Sequence, residues 1–217
     1  SLAPILVASL MTGQSAMAQV DDWFFNKAIS YRQSENNTAP TEADGWFVEL
    51  AVVTLNPDDA TSATISGGGI AGSLELEWDD GEWLYERDFE SQAQMDALFP
   101  GNQSYTITRS GGTLGTLTQT FNLGPASYPA IPYLTGSDFS TALNILPGAG
   151  FTFHWNSPGA GANAIWLELE DAVTEDTIAD FEFDAPGLPT SQHLDSTTLS
   201  PGYAYSGFLG FLNSTTN

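Results

Sequence analysis

The chain has 217 residues, of which 27 are aspartate or glutamate and four are lysine or arginine, so its formal net charge is −23. Because such a surface repels phosphate backbones and anionic membranes, we expect neither nucleic acid nor a membrane surface as a partner. The chain has 21 glycines, 12 prolines and 12% aromatic residues, a composition that predicts many short strands joined by tight turns. It contains no cysteine, so we expect a core held by burial rather than by disulfides.

Residues 1–18 are typical of a secretory signal peptide whose start is missing. An apolar run from Leu2 to Met11 precedes the small-residue motif Ala16-Met17-Ala18, after which we expect cleavage. The run is too short for a membrane-spanning helix, which needs about 20 residues. The alternative is a buried strand or helix. The first interpretation predicts a secreted protein, extracellular or at the cell surface, with no membrane span.

Alternating apolar and polar residues predict the strands of a first domain, residues 19–124. Strands are expected at 23–31, 45–55, 105–108 and 115–123, with a polar loop at 33–44. A hairpin is expected where Leu74–Trp78 turns at Asp79-Asp80-Gly81 and returns through residues 83–85. The segment Ser91–Leu98 is the best candidate for a short helix.

Three prolines at 125, 129 and 132 prevent a central strand or helix, so we expect a linker at residues 125–132. The second predicted domain, residues 133–217, has strands around 151–155, 165–169 and 181–183. Two echoes between the halves favour an internal repeat. Leu74–Glu77 resembles Leu167–Glu170, and Leu98–Gly101 resembles Leu199–Gly202.

The segment Leu199-Ser200-Pro201-Gly202-Tyr203-Ala204-Tyr205 has the Leu-x-Pro-Gly-x-x-Tyr form of a tyrosine corner, in which the tyrosine hydroxyl bonds to backbone a few residues upstream. In the first half the matching tyrosine, Tyr105, falls one place later, so we expect that corner to be distorted or absent. The run Phe151–Pro158 alternates apolar residues up to a core tryptophan that is followed shortly by proline.

On these two motifs, residues 130–217 resemble the fibronectin type III family, while the first half is only generically immunoglobulin-like. The resemblance implies structural roles for Trp155, Pro201, Gly202 and Tyr205. We therefore expect an all-β protein of two tandem antiparallel Greek-key β-sandwiches. The family has a final strand after the strand that holds Tyr205, and the sequence stops before it, so we expect a truncated fragment with an open edge or a strand exchanged with a neighbouring subunit.

Modules of this family serve as spacers, adhesion units or ligand-binding surfaces, and they carry no catalytic set to transfer. The resemblance therefore implies a secreted, non-catalytic binding, adhesion or structural module that contacts an extracellular glycan or protein surface. Two alternatives stay open, namely a carbohydrate-binding accessory region of a larger secreted enzyme and a glycan hydrolase.

The residues Trp166, Glu168 and Glu170 share the outer face of one predicted strand. An exposed aromatic ring beside carboxylates suits stacking on a sugar or the rim of a protein interface. Carboxylates two residues apart lie about 7 Å from each other, which is also within the range that glycosidases use. The alternatives are an ordinary solvated strand face and coverage of the ring by the neighbouring domain.

A second candidate site lies at the predicted hairpin Trp78-Asp79-Asp80-Gly81-Glu82-Trp83. The carboxylates of Asp79, Asp80 and Glu82 could coordinate Ca²⁺, and Trp78 and Trp83 could contact a ligand. The spacing does not match an EF-hand loop, so an ordinary hairpin with solvated charges is the alternative. No other cofactor is expected.

Two further patterns indicate structure rather than chemistry. Gly67–Gly72 matches a dinucleotide-binding fingerprint, but no helix follows it, so we interpret it as a turn between antiparallel strands. The chain has only two histidines and no Gly-x-Ser-x-Gly motif, which disfavours a serine hydrolase and a zinc site. We expect His154 at the surface and His193 in a loop.

Overall fold

The computed structural model describes residues 6–14, 23–54, 56–79, 81–125, 128–146 and 148–216. With 49% strand and 8% helix it is all-β, as predicted, and it contains a large curled antiparallel sheet. The helices are α1 (Gln92–Leu98), α2 (Asp138–Ala142) and a 3-10 turn at Pro57–Asp59. The strands are β1 (Leu6–Gln14), β2 (Trp23–Arg32), β3 (Ala43–Val53), β4 (Ser62–Gly67), β5 (Ser73–Asp79), β6 (Glu82–Phe89), β7 (Gln103–Ser110), β8 (Leu117–Leu123), β9 (Phe151–His154), β10 (Ala164–Asp171), β11 (Thr177–Asp184), β12 (Ser191–Leu194) and β13 (Tyr205–Thr216).

The order of hydrogen-bonded strands in the large sheet is β11-β10-β13-β1-β2-β3-β6-β5-β4-β7-β8, and β12 and β9 form a separate two-stranded sheet. Strand β1 falls within the predicted signal peptide and lies between β13 and β2. The edge of β13 that we expected to be open is thus occupied by a strand of the same chain. Cleavage after Ala18 stays a prediction.

The chain forms two compact units. The amino-terminal unit contains residues 23–28 and the described part of 45–125, and the carboxyl-terminal unit contains residues 29–44 and the described part of 128–213. A buried side-chain amide, that of Gln33, helps to hold residues 29–44 in the carboxyl-terminal unit. Gln33 donates from Nε2 to the Leu134 carbonyl at 2.9 Å and accepts from the Leu134 N–H at 2.8 Å. The linker predicted at residues 125–132 stays a prediction.

Each unit has its own apolar core. In the amino-terminal unit Tyr105 packs on Phe25, Phe99 and Phe121, with ring centroids 5.5 to 6.1 Å apart. Burying such a side chain contributes about 1.5 to 3 kcal/mol. The core of the carboxyl-terminal unit consists of Leu134, Phe139, Ala142, Phe153, Trp155, Ile165, Leu167, Leu169, Leu194, Leu209 and Phe211.

The helix predicted at Ser91–Leu98 is present as α1. Ser91 caps its amino end by accepting the Gln94 N–H at 3.3 Å, which satisfies a donor that lacks a partner within the helix. Lys27 of β2 is fully buried and fixes the other end of the helix. Its Nζ donates to the Phe99 carbonyl at 2.6 Å and pairs with Asp96 at 2.5 Å.

Both units contain a tyrosine that hydrogen-bonds to backbone five residues upstream. Tyr205 accepts the Ser200 N–H at 2.8 Å, as expected of a tyrosine corner. Tyr105 donates to the Pro100 carbonyl at 2.8 Å, and proline has no N–H that the tyrosine hydroxyl could accept. The corner in the first half is therefore distorted, because the extra residue before Tyr105 moves the contact from the residue before the proline to the proline itself.

The two units share part of their strand pairing, although β5 also pairs with β6 in the amino-terminal unit. In the carboxyl-terminal unit β9 pairs with β12, and β10 lies between β11 and β13. In the amino-terminal unit β3 pairs with β6, and β4 lies between β5 and β7. The repeated Leu-Glu sequence lies in β5 and in β10. These two strands do not have equivalent partners, so this repeat does not relate equivalent strands of the two units. The segments Leu98–Gly101 and Leu199–Gly202, in contrast, directly precede β7 and β13, which do have equivalent partners.

The glycine run at 67–69 connects the antiparallel strands β4 and β5, which confirms that it is a turn. Gly67 and Gly68 have φ values of 108° and 53°, in a region that favours glycine. A Cβ atom on Gly68 would collide with the Tyr105 ring, and one on Gly69 would collide with the Ala97 carbonyl. The run is thus required by both conformation and space.

Replacing Tyr205 or Tyr105 with phenylalanine should lower the free energy of unfolding by about 1 kcal/mol in each case, because each ring stays packed while its hydrogen bond is lost. Urea denaturation measures the change. The control is Tyr203→Phe, since Tyr203 is 58% exposed. Equal stabilities for all three variants would show that the corner hydroxyls do not stabilise the fold.

Candidate functional site

Strand β10 separates an apolar face from a polar one. Ile165, Leu167 and Leu169 are at most 3% exposed and lie in the core, whereas the alternate residues Trp166, Glu168 and Glu170 are half-buried on the outer face. This alternation follows from the period of two in a strand. The three residues singled out in the sequence therefore do share one face, which we call the Trp166 face.

The Trp166 ring is held by side chains from both neighbouring strands. Its Nε1 donates to Asp180 of β11 at 2.6 Å. Phe208 of β13 meets it edge to face, with ring centroids 5.1 Å apart. The residue paired with Trp166 on β13 is Gly210, so no side chain stands directly opposite the ring on that strand. These contacts fix the ring while leaving part of it accessible.

The two carboxylates beside Trp166 are hydrogen-bonded to hydroxyl groups. Thr177 donates to Glu168 at 2.8 Å, and Ser206 donates to Glu170 at 3.4 Å. Burial raises the pKa of Glu168, and the neighbouring charges of Glu170 and Asp180 add to this, while the Thr177 hydrogen bond opposes it. Glu168 is therefore easier to protonate than an ordinary glutamate.

The second candidate site lies where β5 changes partner. Residues Ser73–Leu76 pair with β4, and Glu77–Asp79 pair with β6. A groove of about 580 Å³ opens at this change of partner. Its lining residues are Glu75, Glu77, Trp78, Asp79, Leu84, Tyr85 and Glu86. We call it the Trp78 groove, and it places a tryptophan among several carboxylates.

The predicted hairpin is present, with Trp78 opposite Trp83 and their rings edge to face at 5.8 Å. Burial raises the pKa of Glu82, helped by the charges of Asp79 and Glu86. Asp80 lies outside the described residues. Within the part of the chain that the structure describes, no three acidic, histidine or cysteine side chains are placed to hold a metal ion. Calcium binding at this turn stays a prediction.

One of the two histidines lies where the sequence predicted, and the other does not. His154 is 56% exposed, as predicted, but its Nδ1 lies 2.8 Å from Asp138, a pairing that the sequence did not indicate. His193 lies in strand β12 rather than in a loop, and its Nδ1 is 3.0 Å from the Thr152 hydroxyl. Among the residues expected to have structural roles, Trp155 is buried and donates from Nε1 to the Pro189 carbonyl, while Pro201 and Gly202 form the turn before Tyr205.

Comparison with protein-family models and with curated proteins finds no match for this sequence. Among the described residues, none of the helices has the length and apolar character needed to cross a membrane.

The raised pKa of Glu168 predicts a pH-dependent effect of Glu168→Gln. A group whose pKa is raised in the folded state contributes most to stability below its unfolded pKa, and that contribution is lost as the pH rises through the folded value. Glutamine removes the disfavoured charge and keeps an acceptor for Thr177. We therefore expect the variant to unfold at higher urea than the native chain near pH 7, and at the same urea near pH 3.

The control for this experiment is Glu75→Gln, which removes the same charge from an exposed position on β5. Its effect near neutral pH should be smaller. A gain for Glu168→Gln that is the same at both pH values would contradict the assigned cause.

The calcium hypothesis predicts that the melting temperature rises when Ca²⁺ is added and falls when a chelator is added, because a ligand bound only by the folded state stabilises it. Asp79→Asn should abolish the rise in melting temperature. The control is Asp195→Asn in the carboxyl-terminal unit, where the carboxylate is 86% exposed, and this variant should keep the rise. A melting temperature that does not change with Ca²⁺ or with the chelator would contradict calcium binding at this turn.

Proposed function

We propose that the chain is a secreted, non-catalytic binding module built from two β-sandwich units, the second of fibronectin type III type, and that its Trp166 face recognises an extracellular glycan. The observation that carries this proposal is the partly buried Trp166 ring on the outer face of β10, held by Asp180 and Phe208 and bordered by Glu168. The β-sandwich assignment draws support from the strand pairing and from the hydrogen bonds of Tyr105 and Tyr205.

A glycan suits this surface on chemical grounds. The carbon-bound hydrogens of a sugar ring form an apolar face that packs on an indole ring, and sugar hydroxyls donate to carboxylates. Glu168 and Glu170 supply such acceptors on the same side of the strand as Trp166. A polyanionic glycan is disfavoured, because the chain carries a formal charge of −23.

The same chemistry supports the alternative that this chain is the carbohydrate-binding accessory region of a larger secreted enzyme. The hydrolase alternative has less support. Glu168 and Glu170 lie on a strand face where each already accepts a hydroxyl hydrogen bond. Hydrolysis predicts turnover of a polysaccharide that is lost in Glu168→Gln.

A glycan array with the purified chain tests the proposal. Trp166→Ala should weaken binding by about tenfold or more, because tenfold corresponds to 1.4 kcal/mol and a stacked aromatic ring contributes on this scale. Tyr203→Ala is the matched control, since Tyr203 is an exposed aromatic residue elsewhere in the same unit. Trp78→Ala tests the Trp78 groove in the same assay.

Two outcomes would contradict the proposed site. Glycan binding that survives Trp166→Ala would remove the Trp166 face from the site. If the folded protein binds none of the glycans, the partner to look for is a protein surface, and the same variants would test binding to it.

A further inference from the structure

The neighbouring strand β11 adds carboxylates to the Trp166 face. In the antiparallel register of β10 and β11, Glu182 lies directly opposite Trp166. Residues opposite each other in such a pair point to the same side of the sheet. Asp180 and Asp184 lie two residues to either side of Glu182, so they share this face, and all three side chains are exposed. The Trp166 ring therefore lies among the carboxylates of two strands.

No cationic side chain from the later part of the sequence offsets these charges. The sequence has no lysine or arginine after Arg109. Arg32, which belongs to the carboxyl-terminal unit, pairs with Asp44 at 3.0 Å. The two histidines lie in β9 and β12, outside the large sheet. Within the part of the chain that the structure describes, no side chain pairs with the Glu182 carboxylate.

A surface that combines an indole ring with unpaired carboxylates favours a cationic ligand. The negatively polarised face of an aromatic ring attracts an ammonium group, and a carboxylate accepts strong hydrogen bonds from it. The ring of Trp166 is fixed by Phe208, at a centroid distance of 5.1 Å, and Gly210 beside it on β13 leaves space for a ligand. A neutral sugar uses the ring and the acceptors, whereas a sugar that carries an ammonium group also uses the charge.

We propose that the glycan recognised by the Trp166 face is a polymer of cationic amino sugars, in which a sugar ring stacks on Trp166 and ammonium groups bind Glu182 and Glu168. This inference rests on the proposed function, because it names the class of glycan for the same face. It also gives Glu182 a role in specificity that the spacing of residues within β10 did not indicate.

Two oligomers with the same sugar backbone test the proposal by isothermal titration calorimetry on the full chain. One is a β-linked glucosamine oligomer and the other is its N-acetylated, uncharged form. Near pH 6, where side-chain carboxylates are mostly ionised, the charged oligomer should bind about tenfold more tightly, on the combined scale of an exposed cation–π contact and an ion pair. Added salt should weaken binding of the charged oligomer only.

The two proposals fail in different ways. Equal or tighter binding of the acetylated oligomer that is lost in Trp166→Ala would overturn the preference for a cation and leave glycan recognition at this face standing. If the folded chain binds neither oligomer and no glycan on the array, both the proposed function and this inference are wrong.

Glu182→Gln tests the specificity residue without changing the aromatic ring. It should weaken binding of the glucosamine oligomer about threefold and leave binding of the acetylated oligomer unchanged. The matched control is Asp195→Asn, which removes the same charge from a position that is 86% exposed and outside the large sheet. Equal losses in both variants would indicate a general attraction between a polycation and an acidic chain, and they would overturn the site.

An oligolysine of the same charge distinguishes an amino sugar from a basic peptide. It should bind more weakly than the glucosamine oligomer, because it has no sugar ring to stack on Trp166. Equally tight binding that is lost in Trp166→Ala and reduced in Glu182→Gln would show that the face recognises a basic peptide, which would overturn the assignment to an amino sugar.

Discussion

Repulsion among carboxylates is the constraint on which the rest of this structure depends, because 27 acidic residues are opposed by four cationic ones. All four cations are used in contacts within the chain: Lys27 with Asp96, Arg32 with Asp44, Arg87 over the Phe89 ring and Arg109 with the Gly115 carbonyl. The fold therefore relies on aromatic and aliphatic burial and on neutral anchors such as Gln33 and Tyr205. Dissolved salt, which shortens the range of the repulsion, should favour the folded state.

Local patterns in the sequence were sufficient to predict the all-β class and several elements. Alternation placed the core residues of β10, and Ser91 marked the start of α1 where its side chain caps the helix. Strand β1 was missed as part of the sheet because an apolar run with a cleavage-like motif fits a leader peptide equally well. The strand order could not be predicted, since pairing between distant strands leaves no trace in a single sequence.

The candidate site was predictable in part for the same reason. Trp166, Glu168 and Glu170 lie on one strand, so their spacing alone placed them on one face. Asp180 and Phe208 come from the two flanking strands, and their proximity depends on a register that only the structure supplies.

The glycine turn against the Tyr105 ring has a consequence for finding relatives of this protein. Two constraints act on position 68, since its φ of 53° favours glycine and the Tyr105 ring leaves no space for a Cβ atom, so a smaller residue at 105 would remove only the second of them. Glycine should therefore stay favoured at position 68 during evolution even where position 105 changes. Divergent homologues would be recognised by a glycine retained at this turn more readily than by overall sequence identity.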